Sequence, residues 1–415
     1  MRAFTFRLYP TRGQQTRLNG MLADHCDLYN AALQERRDAY RHPSRTRTSY
    51  TTQAKQLTAI RQVCPEQAVW SFTSQQQTLR RLDKAFQAFF RRVKNGETPG
   101  YPQFRSKSRF DSVDFRHGDG CRLLTSRPDG TPFLRRSGRQ TEARLYVQGV
   151  GHVRVLLHRP LPDDAQFGQV SVKREGRGRG TRWHVVVPVE APEEAPPLTG
   201  AVVGLDMATG ANGLAWTSDG DQLPNPRHLH HAADKLAAAQ RKLAGQKRGS
   251  TRRKRQVEKV VALHGRVRRA RLDHLHKTAR RLVTDHNVIV VETLKTANMT
   301  RRPKPVPDPD QPGAYLPNKA AAKAGLNKSI LDTGWGVFLT LLHAKAESAG
   351  RTVIEVNPRD TSRTCFECGH VAPENRHERT FKCVSCGFEG HADVNAARNI
   401  LRAGLAQHHA PAGVM

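Results

Sequence analysis

Two cysteine pairs, Cys365-x2-Cys368 and Cys383-x2-Cys386, are separated by fourteen residues near the C-terminus. Four thiolates at that spacing suit one tetrahedral zinc ion, so residues 362–390 are expected to fold around a metal as a zinc ribbon rather than around an apolar core. Each pair is followed by a glycine, Gly369 and Gly387, which permits the positive φ that a chain turning under a metal can require. Four cysteines fill the coordination shell and leave no place for a reactive water, so this zinc is expected to hold shape only. A redox CxxC is the competing reading, and two pairs at ribbon spacing argue against it. Cys26, Cys64 and Cys121 stand alone and read as packing residues. The odd total and the clustering argue for metal in a reducing compartment over a disulfide framework.

Six residues separate Cys386 from Asp393, which opens the alanine-rich segment DVNAARNIL. By itself Asp393 reads as a helix N-cap. Two further carboxylates change the picture. Asp206 interrupts the apolar run AVVGLDM, and Glu292 ends the apolar run NVIVVE. A lone carboxylate in a buried strand is costly unless it is hydrogen-bonded or binds a cation. Taken singly, Asp206 reads as a turn cap and Glu292 as a strand-end surface residue. Two such strands side by side, with the Asp393 helix packed on them through Ala396 and Ala397, bring three acids together. They then repel unless Mg²⁺ or Mn²⁺ lies between them. Two such ions suit phosphoryl transfer.

The surrounding pattern supplies the frame. AFTFRLYP alternates apolar and polar and predicts a strand, which Pro10 ends. Thr11 and Gln14 form a capping box before a helical stripe of Leu18, Leu22, Cys26, Tyr29 and Leu33. Leu79, Leu82, Phe86, Phe89 and Val93 make a second stripe. ARLYVQ, HVRVLLH, QVSVKRE and RWHVVVPVE are short strands, with GRGRG as a hairpin loop between the last two. After a proline-rich acidic linker, APEEAPPLTG, strands and helices alternate, which predicts an α/β sheet. Two long helices are expected over 228–283 and one helix over SILDTGWGVFLTLLHAKAESAG. The stretch RRPKPVPDPDQPGAYLPNK is expected to be a mobile loop.

Charge narrows the partner. Lys plus Arg number 68 against 37 Asp plus Glu, a net +31. That excess calls for a polyanion, and nucleic acid is the leading one. An anionic membrane is the other, but the chain shows neither a spanning-length apolar stretch nor a signal-peptide run, so a soluble, intracellular protein is expected. In PGYPQFRSKSRF, Tyr101, Phe104 and Phe110 alternate with Arg105, Lys107 and Arg109. These residues either stack on bases and meet phosphate, or form a loop entering a sheet with its aromatics buried. Arg252, Arg253, Lys254, Arg255, Arg268, Arg269 and Arg271 are candidate phosphate contacts, each with a solvated helix face as its alternative.

The strands GLD and VVE, the helix DTGWG, and the segments TSRTCFECG, KCVSCG and ADVNAARNI resemble the RuvC-type nuclease half of TnpB (OrfB) proteins. These are transposon-encoded, RNA-guided nucleases related to type V CRISPR effectors. FRLYPTRGQQTRLNGML, LYNAAL and PGYPQFRSK resemble the same family, so the likeness covers nearly the whole chain, the middle β region mainly by position.

The resemblance implies an RNase H-like (RuvC) nuclease domain over 201–361 and 391–403, interrupted by the ribbon at 362–390. Asp206, Glu292 and Asp393 would be its catalytic, metal-binding triad. It also implies a β-barrel-like wedge domain (1–10 and 96–190) with a helical recognition insertion (11–95), a linker at 191–200 and a tail from 404 to 415. The implied partners are guide RNA and double-stranded target DNA beside a short flanking motif, with pairing reading sequence and protein reading shape. The expected activity is metal-dependent phosphodiester hydrolysis in a prokaryotic cytoplasm, on the nucleoid. An RNA-guided repressor that does not cut and a strand-transferring transposase are the alternatives. The oligomeric state, monomer or weak dimer, stays open. Two departures stand out: Ala208 occupies a usual glycine position, and the loop from Arg301 to Asn327 is longer than usual.

Overall fold

The structure is a computed structural model that describes residues 2–127, 129–131, 133–134, 141–159, 161, 167–176, 178–189, 197–311 and 313–409. Most of the expected linker (191–196), Arg177 of the GRGRG loop and the last part of the expected tail (410–415) lie outside the described residues. The chain divides into two compact units, Met1–Pro192 and Glu193–Met415.

In the first unit, strand β1 (Arg2–Tyr9) buries Phe4, Phe6 and Leu8 and exposes Ala3, Thr5 and Arg7, as period-two alternation dictates. Helix α1 (Arg12–Arg41) starts on the reciprocal capping box. Gln14 N–H donates to Thr11 Oγ1 at 3.3 Å, and Thr11 N–H donates to Gln14 Oε1 at 3.0 Å. Helices α2 (Tyr50–Val63), α3 (Pro65–Ala68) and α4 (Phe72–Lys94) follow. Then come β2 (Ser112–Arg116), β3 (Cys121–Leu124), β4 (Phe133–Leu134), β5 (Thr141–Val147), β6 (Gly151–Leu157), β7 (Gln169–Glu175) and β8 (Arg182–Val189). They form an eight-stranded sheet in the order β2-β7-β8-β1-β6-β5-β3, with β4 on β5.

β1 pairs antiparallel with both β8 and β6, so the helices are an excursion from the middle of the sheet. The edge strands β2 and β3 are consecutive and meet through the His117–Cys121 bridge, so the sheet curls nearly closed. One core joins sheet and helices: Leu18, Leu22, Leu79 and Leu82 cluster with Phe6, Trp183 and Val185. Two sequence expectations need correction. Val93, in the last turn of α4, is exposed. Cys26 and Cys121 are buried, but Cys64 is only half-buried, at the junction of α2 and α3.

The second unit contains β9 (Val202–Met207), β10 (Ala215–Thr217), β11 (Gln222–Leu223), α5 (His228–Ala244), α6 (Thr251–Asp285), β12 (Val288–Glu292) and α7 (Thr296–Met299). It continues with β13 (Val306–Pro307), β14 (Tyr315–Leu316), α8 (Ala320–Thr333), α9 (Trp335–Ser348) and β15 (Thr352–Val356). The hairpin strands β16 (Arg376–His377), β17 (Thr380–Lys382) and β18 (Glu389–His391) lead into α10 (Ala392–His409), which runs past the point where the sequence places a tail. The main sheet has the order β11-β10-β9-β12-β15, with β9, β12 and β15 parallel. Its central strands are covered on both faces, which explains their unbroken apolar runs. Ile289 and Val291 meet Leu275, Leu282, Phe338 and Leu342, whereas Val290 meets Ile400 of α10.

Two glycines let α10 lie close on the sheet. A Cβ on Gly204 of β9 would sit 2.2 Å from the Ala397 carbonyl oxygen, and one on Gly404 would sit 2.4 Å from a methyl of Val290. The single helix expected across DTGWG is two helices, because Gly334 adopts φ +82° between α8 and α9. The expected mobile loop carries the small β13–β14 hairpin. Among the described residues no helix is long and apolar enough to cross a membrane.

Candidate metal centre and carboxylate site

The four predicted cysteines converge, with ligand atoms all within 4.8 Å of one another. Cys365 Sγ lies 3.7 Å from Cys386 Sγ, and Cys368 Sγ lies 3.6 Å from Cys383 Sγ. A tetrahedron with ~2.3 Å zinc–sulfur bonds has sulfur–sulfur edges of about 3.8 Å, so the donor set fits zinc in both chemistry and spacing. Gly369 and Gly387 both have φ +77°, and their N–H groups donate to the Cys365 and Cys383 carbonyls at 2.9 and 3.0 Å. Within the cluster the thiols divide: backbone N–H donation from Cys386 lowers Cys383, whereas burial raises Cys365.

Beside this centre lie the three predicted acids. Parallel pairing sets Val291 against Leu205, so Glu292 and Asp206 are the next residues on adjacent strands. α10, seated on Gly204, places Asp393 in its first turn. Glu292 and Asp393 are buried and Asp206 is recessed. Burial first, then the charges of Glu292 and Asp393, raises the Asp206 carboxyl well above its usual range, while Arg376 opposes the shift. Burial likewise raises Glu292, opposed by a hydrogen bond from Thr361 and by Arg376. Asp206 feels the charge of both other acids, but the three are not drawn as tightly as the cysteines, the one group of that tightness among the described residues.

Sequence reasoning missed the residues that hold these acids. Thr361 Oγ1 donates to Glu292 Oε1 at 2.7 Å. Arg376 Nη2 donates to Asp393 Oδ1 at 2.6 Å. Asn395 accepts from Phe366 N–H at 3.0 Å and donates to the Thr364 carbonyl at 2.8 Å, and Asn399 donates to the Thr361 and Thr364 carbonyls. Buried asparagines spaced four apart on one helix face, Asn395 and Asn399, were the available signal.

The basic candidates divide. Arg253 donates to the Leu243 and Gln246 carbonyls, and Arg271 pairs with Asp332 at 2.6 Å, so both have structural partners. Arg252, Lys254, Arg255 and Arg268 are exposed along α6, and Arg269 is half-buried. In the aromatic loop Phe110 enters the core, whereas Tyr101 and Phe104 stay exposed. Tyr101 leans on Phe86 and Phe89, and Arg37 covers Phe104. Lys107 pairs with Asp27 at 2.7 Å, and Arg105 and Arg109 are exposed. Both readings of that loop therefore hold in part. Ala208 is buried, and its carbonyl accepts from Trp335 Nε1 at 2.7 Å.

Fold and site define an α/β protein with a nearly closed barrel sheet in one unit and, in the other, a four-cysteine metal-binding centre beside a group of acids. A family described as "Probable transposase" matches residues 184–302, "Cas12f1-like, TNB domain" matches 335–400, and "Helix-turn-helix domain" matches 1–44. The last stretch holds β1 and the single helix α1. A Streptomyces pristinaespiralis protein, "Putative RNA-guided DNA endonuclease", is 32% identical over 98% of this chain and 90% of its own length. Escherichia coli (strain K12) "Putative RNA-guided DNA endonuclease InsQ" is 30% identical over 98% and 93%. The chain belongs to the TnpB family. A solved Cas12f1–sgRNA–target DNA complex shares the fold with TM-score 0.53 at 14% identity, covering 92% of this chain and 81% of that one.

Proposed function

We propose that the protein is an RNA-guided DNA endonuclease of a mobile element. On this reading 201–361 and 391–403 form an RNase H-like (RuvC) nuclease interrupted by a zinc ribbon at 362–390. The barrel residues 1–10 and 96–190 are a wedge domain, and 11–95 are a helical recognition insertion. The observation that carries the reading is the placement of Asp206 and Glu292 on adjacent parallel strands, with Asp393 in the first turn of α10, where burial first and then the charges of Glu292 and Asp393 raise the Asp206 carboxyl. Relatives named as RNA-guided DNA endonucleases align along almost all of the chain, which supports the same assignment.

Asp206, Glu292 and Asp393 are the residues that would hold Mg²⁺ or Mn²⁺. When bound there, a divalent ion would supply an acidified water and charge for the leaving oxygen. Thr361 fixes the rotamer of Glu292, and the asparagine stitches of α10 fix the height of Asp393. Arg376 pairs with Asp393 and offsets its charge. The exposed Arg252, Lys254, Arg255 and Arg268 offset phosphate charge along a bound strand.

The test is guided plasmid cleavage in Mg²⁺ by protein co-expressed with the RNA of its own element. Copurifying RNA and cleavage that depends on its guide segment are the expected results. Nucleic-acid-free protein, or binding without cleavage by the parental chain, would favour the transposase or repressor alternatives.

A further inference from the structure

We propose that Trp216 and His391 are a positioning pair for the carboxylate site, their stacked rings holding Asp393 in register with Asp206. The ring centroids lie 4.2 Å apart at an interplanar angle of 33°, closer than the roughly 4.5–7 Å usual for aromatic pairs. The consequence for cleavage rests on the proposed function; the pairing itself rests on geometry alone.

Each ring is tied to one of the acids. Trp216 of β10 is the direct cross-strand partner of Asp206, and directly opposed residues project from the same face of a sheet. That face is the one α10 covers, since a Cβ on Gly204, two residues before Asp206, would meet the Ala397 carbonyl. His391 ends β18, and Asp393 follows in the first turn of α10. The stack therefore joins the strand beside Asp206 to the chain that enters α10. A second contact runs in parallel. Arg379 Nη2 donates to Asn212 Oδ1 in the turn between β9 and β10, and the Arg379 carbonyl accepts from Ala392 N–H at 2.8 Å. Both contacts tie the residues just before Asp393 to the β9–β10 hairpin.

Ordinary core packing does not account for the pair. Trp216 is half-buried and stands outside the apolar clusters of both the main sheet and the cysteine hairpin. Trp216 Nε1 and His391 Nδ1 are buried without hydrogen-bond partners among the described residues. Those nitrogens add nothing to the attachment, so the ring faces carry it. A phenyl ring at either position keeps such a contact, and an aliphatic side chain loses it. Without the stack the first turn of α10 drifts from Asp206, and a shift of about 1 Å at a site of this kind costs on the order of 10²-fold in rate.

The experiment measures Mg²⁺ binding by calorimetry and single-turnover guided cleavage on the zinc-loaded full chain. The variants are Trp216→Leu, Trp216→Phe, His391→Ala and His391→Phe, and only the Mg²⁺ binding that Asp206→Asn removes is counted. Trp216→Leu and His391→Ala are expected to weaken that binding by up to about tenfold, the worth of one aromatic pair. They should slow cleavage about 10–100-fold and leave target affinity unchanged. The two phenylalanine variants should stay close to the parent. The double variant Trp216→Leu/His391→Ala should be no worse than either single one, because the rings act as a unit. Urea titration and zinc content identify the folded variants, and should Trp216→Leu fail to fold, the two His391 variants decide. Parental Mg²⁺ affinity and cleavage rate in folded Trp216→Leu, or His391→Phe as impaired as His391→Ala, would overturn the pair. Ring-dependent Mg²⁺ binding in a parental chain that does not cut guided DNA would overturn the nuclease reading and leave the pair standing.

Discussion

Arg376 Nη2 lies 2.6 Å from Asp393 Oδ1, so the cysteine hairpin supplies the counter-charge to the first turn of α10. The pair is largely but not fully enclosed, with Asp393 the more buried partner. A cation entering among the acids has to compete with that arginine. Arg376→Gln is therefore expected to raise the apparent Mg²⁺ affinity by up to about tenfold, the scale of a charge-assisted hydrogen bond reduced by solvent. Isothermal titration calorimetry checks this, and a weaker site in the variant would show that Arg376 instead holds the acids in place.

Asp206→Ala, Glu292→Ala and Asp393→Ala are each expected to abolish cleavage, and the triple variant should be about as inactive as any single one, because the acids act as a unit. Guide and target binding should survive. Parental cutting by Asp393→Ala with its zinc retained would reduce Asp393 to a helix cap. A gel-shift assay run beside the cleavage assay separates the two effects.

Metal affinity should also rise with pH. The raised Asp206 and Glu292 carboxyls must lose protons before they can ligate a cation, so binding releases protons and strengthens as pH climbs through their elevated range. Calorimetry in buffers of different ionisation enthalpy counts the released protons, and Asp206→Asn should lower that count.

Cys383→Ser should lower zinc content and loosen the C-terminal hairpin, whose small core is Cys365, Phe381, Cys383 and Ala392. With so little apolar surface, the metal supplies most of the local order. Elemental analysis and limited proteolysis read the outcome. A variant with full stability in chelator would contradict it.

Gly204→Ala tests how α10 is seated. The new methyl would meet the Ala397 carbonyl and Leu401, so the helix has to shift. The expected stability loss is about 1–3 kcal/mol, typical of overpacking. The loss of cleavage should be larger than that implies, because Asp393 rides on the same helix. Denaturant titration beside a cleavage assay distinguishes the two.

In the first unit, buried His25 donates from Nδ1 to the Met21 carbonyl at 2.8 Å and meets Ser74 Oγ at 2.9 Å. Burial lowers its pKa from 6.5 to about 4. The folded state thus favours the neutral ring. Its contribution is fully present above pH 6.5 and is lost as pH falls toward 4, amounting to about 3 kcal/mol. His25→Gln should flatten that part of the pH–stability curve in urea titrations.

Local chemistry alone determined several features. The cysteine spacing fixed the metal centre, since four thiolates and two positive-φ glycines leave few other arrangements. Alternation in AFTFRLY fixed β1, and the Thr11–Gln14 box fixed the start of α1. The apolar runs around Asp206 and Glu292 marked buried strands, because a parallel sheet covered on both faces has no polar side to alternate with. Other features depend on residues far apart in the chain. Local pattern carried one helix through DTGWG, where the backbone at Gly334 turns left-handed to pack α9 beside α6. It gave no register for β9 beside β12, which places Asp206 next to Glu292. It did not join Arg376 to Asp393 or Thr361 to Glu292. Spacing along the chain encodes local geometry and a metal shell whose ligands lie close in sequence. A side chain's partners across a sheet, and hence its charge environment, are set only when packing closes the core.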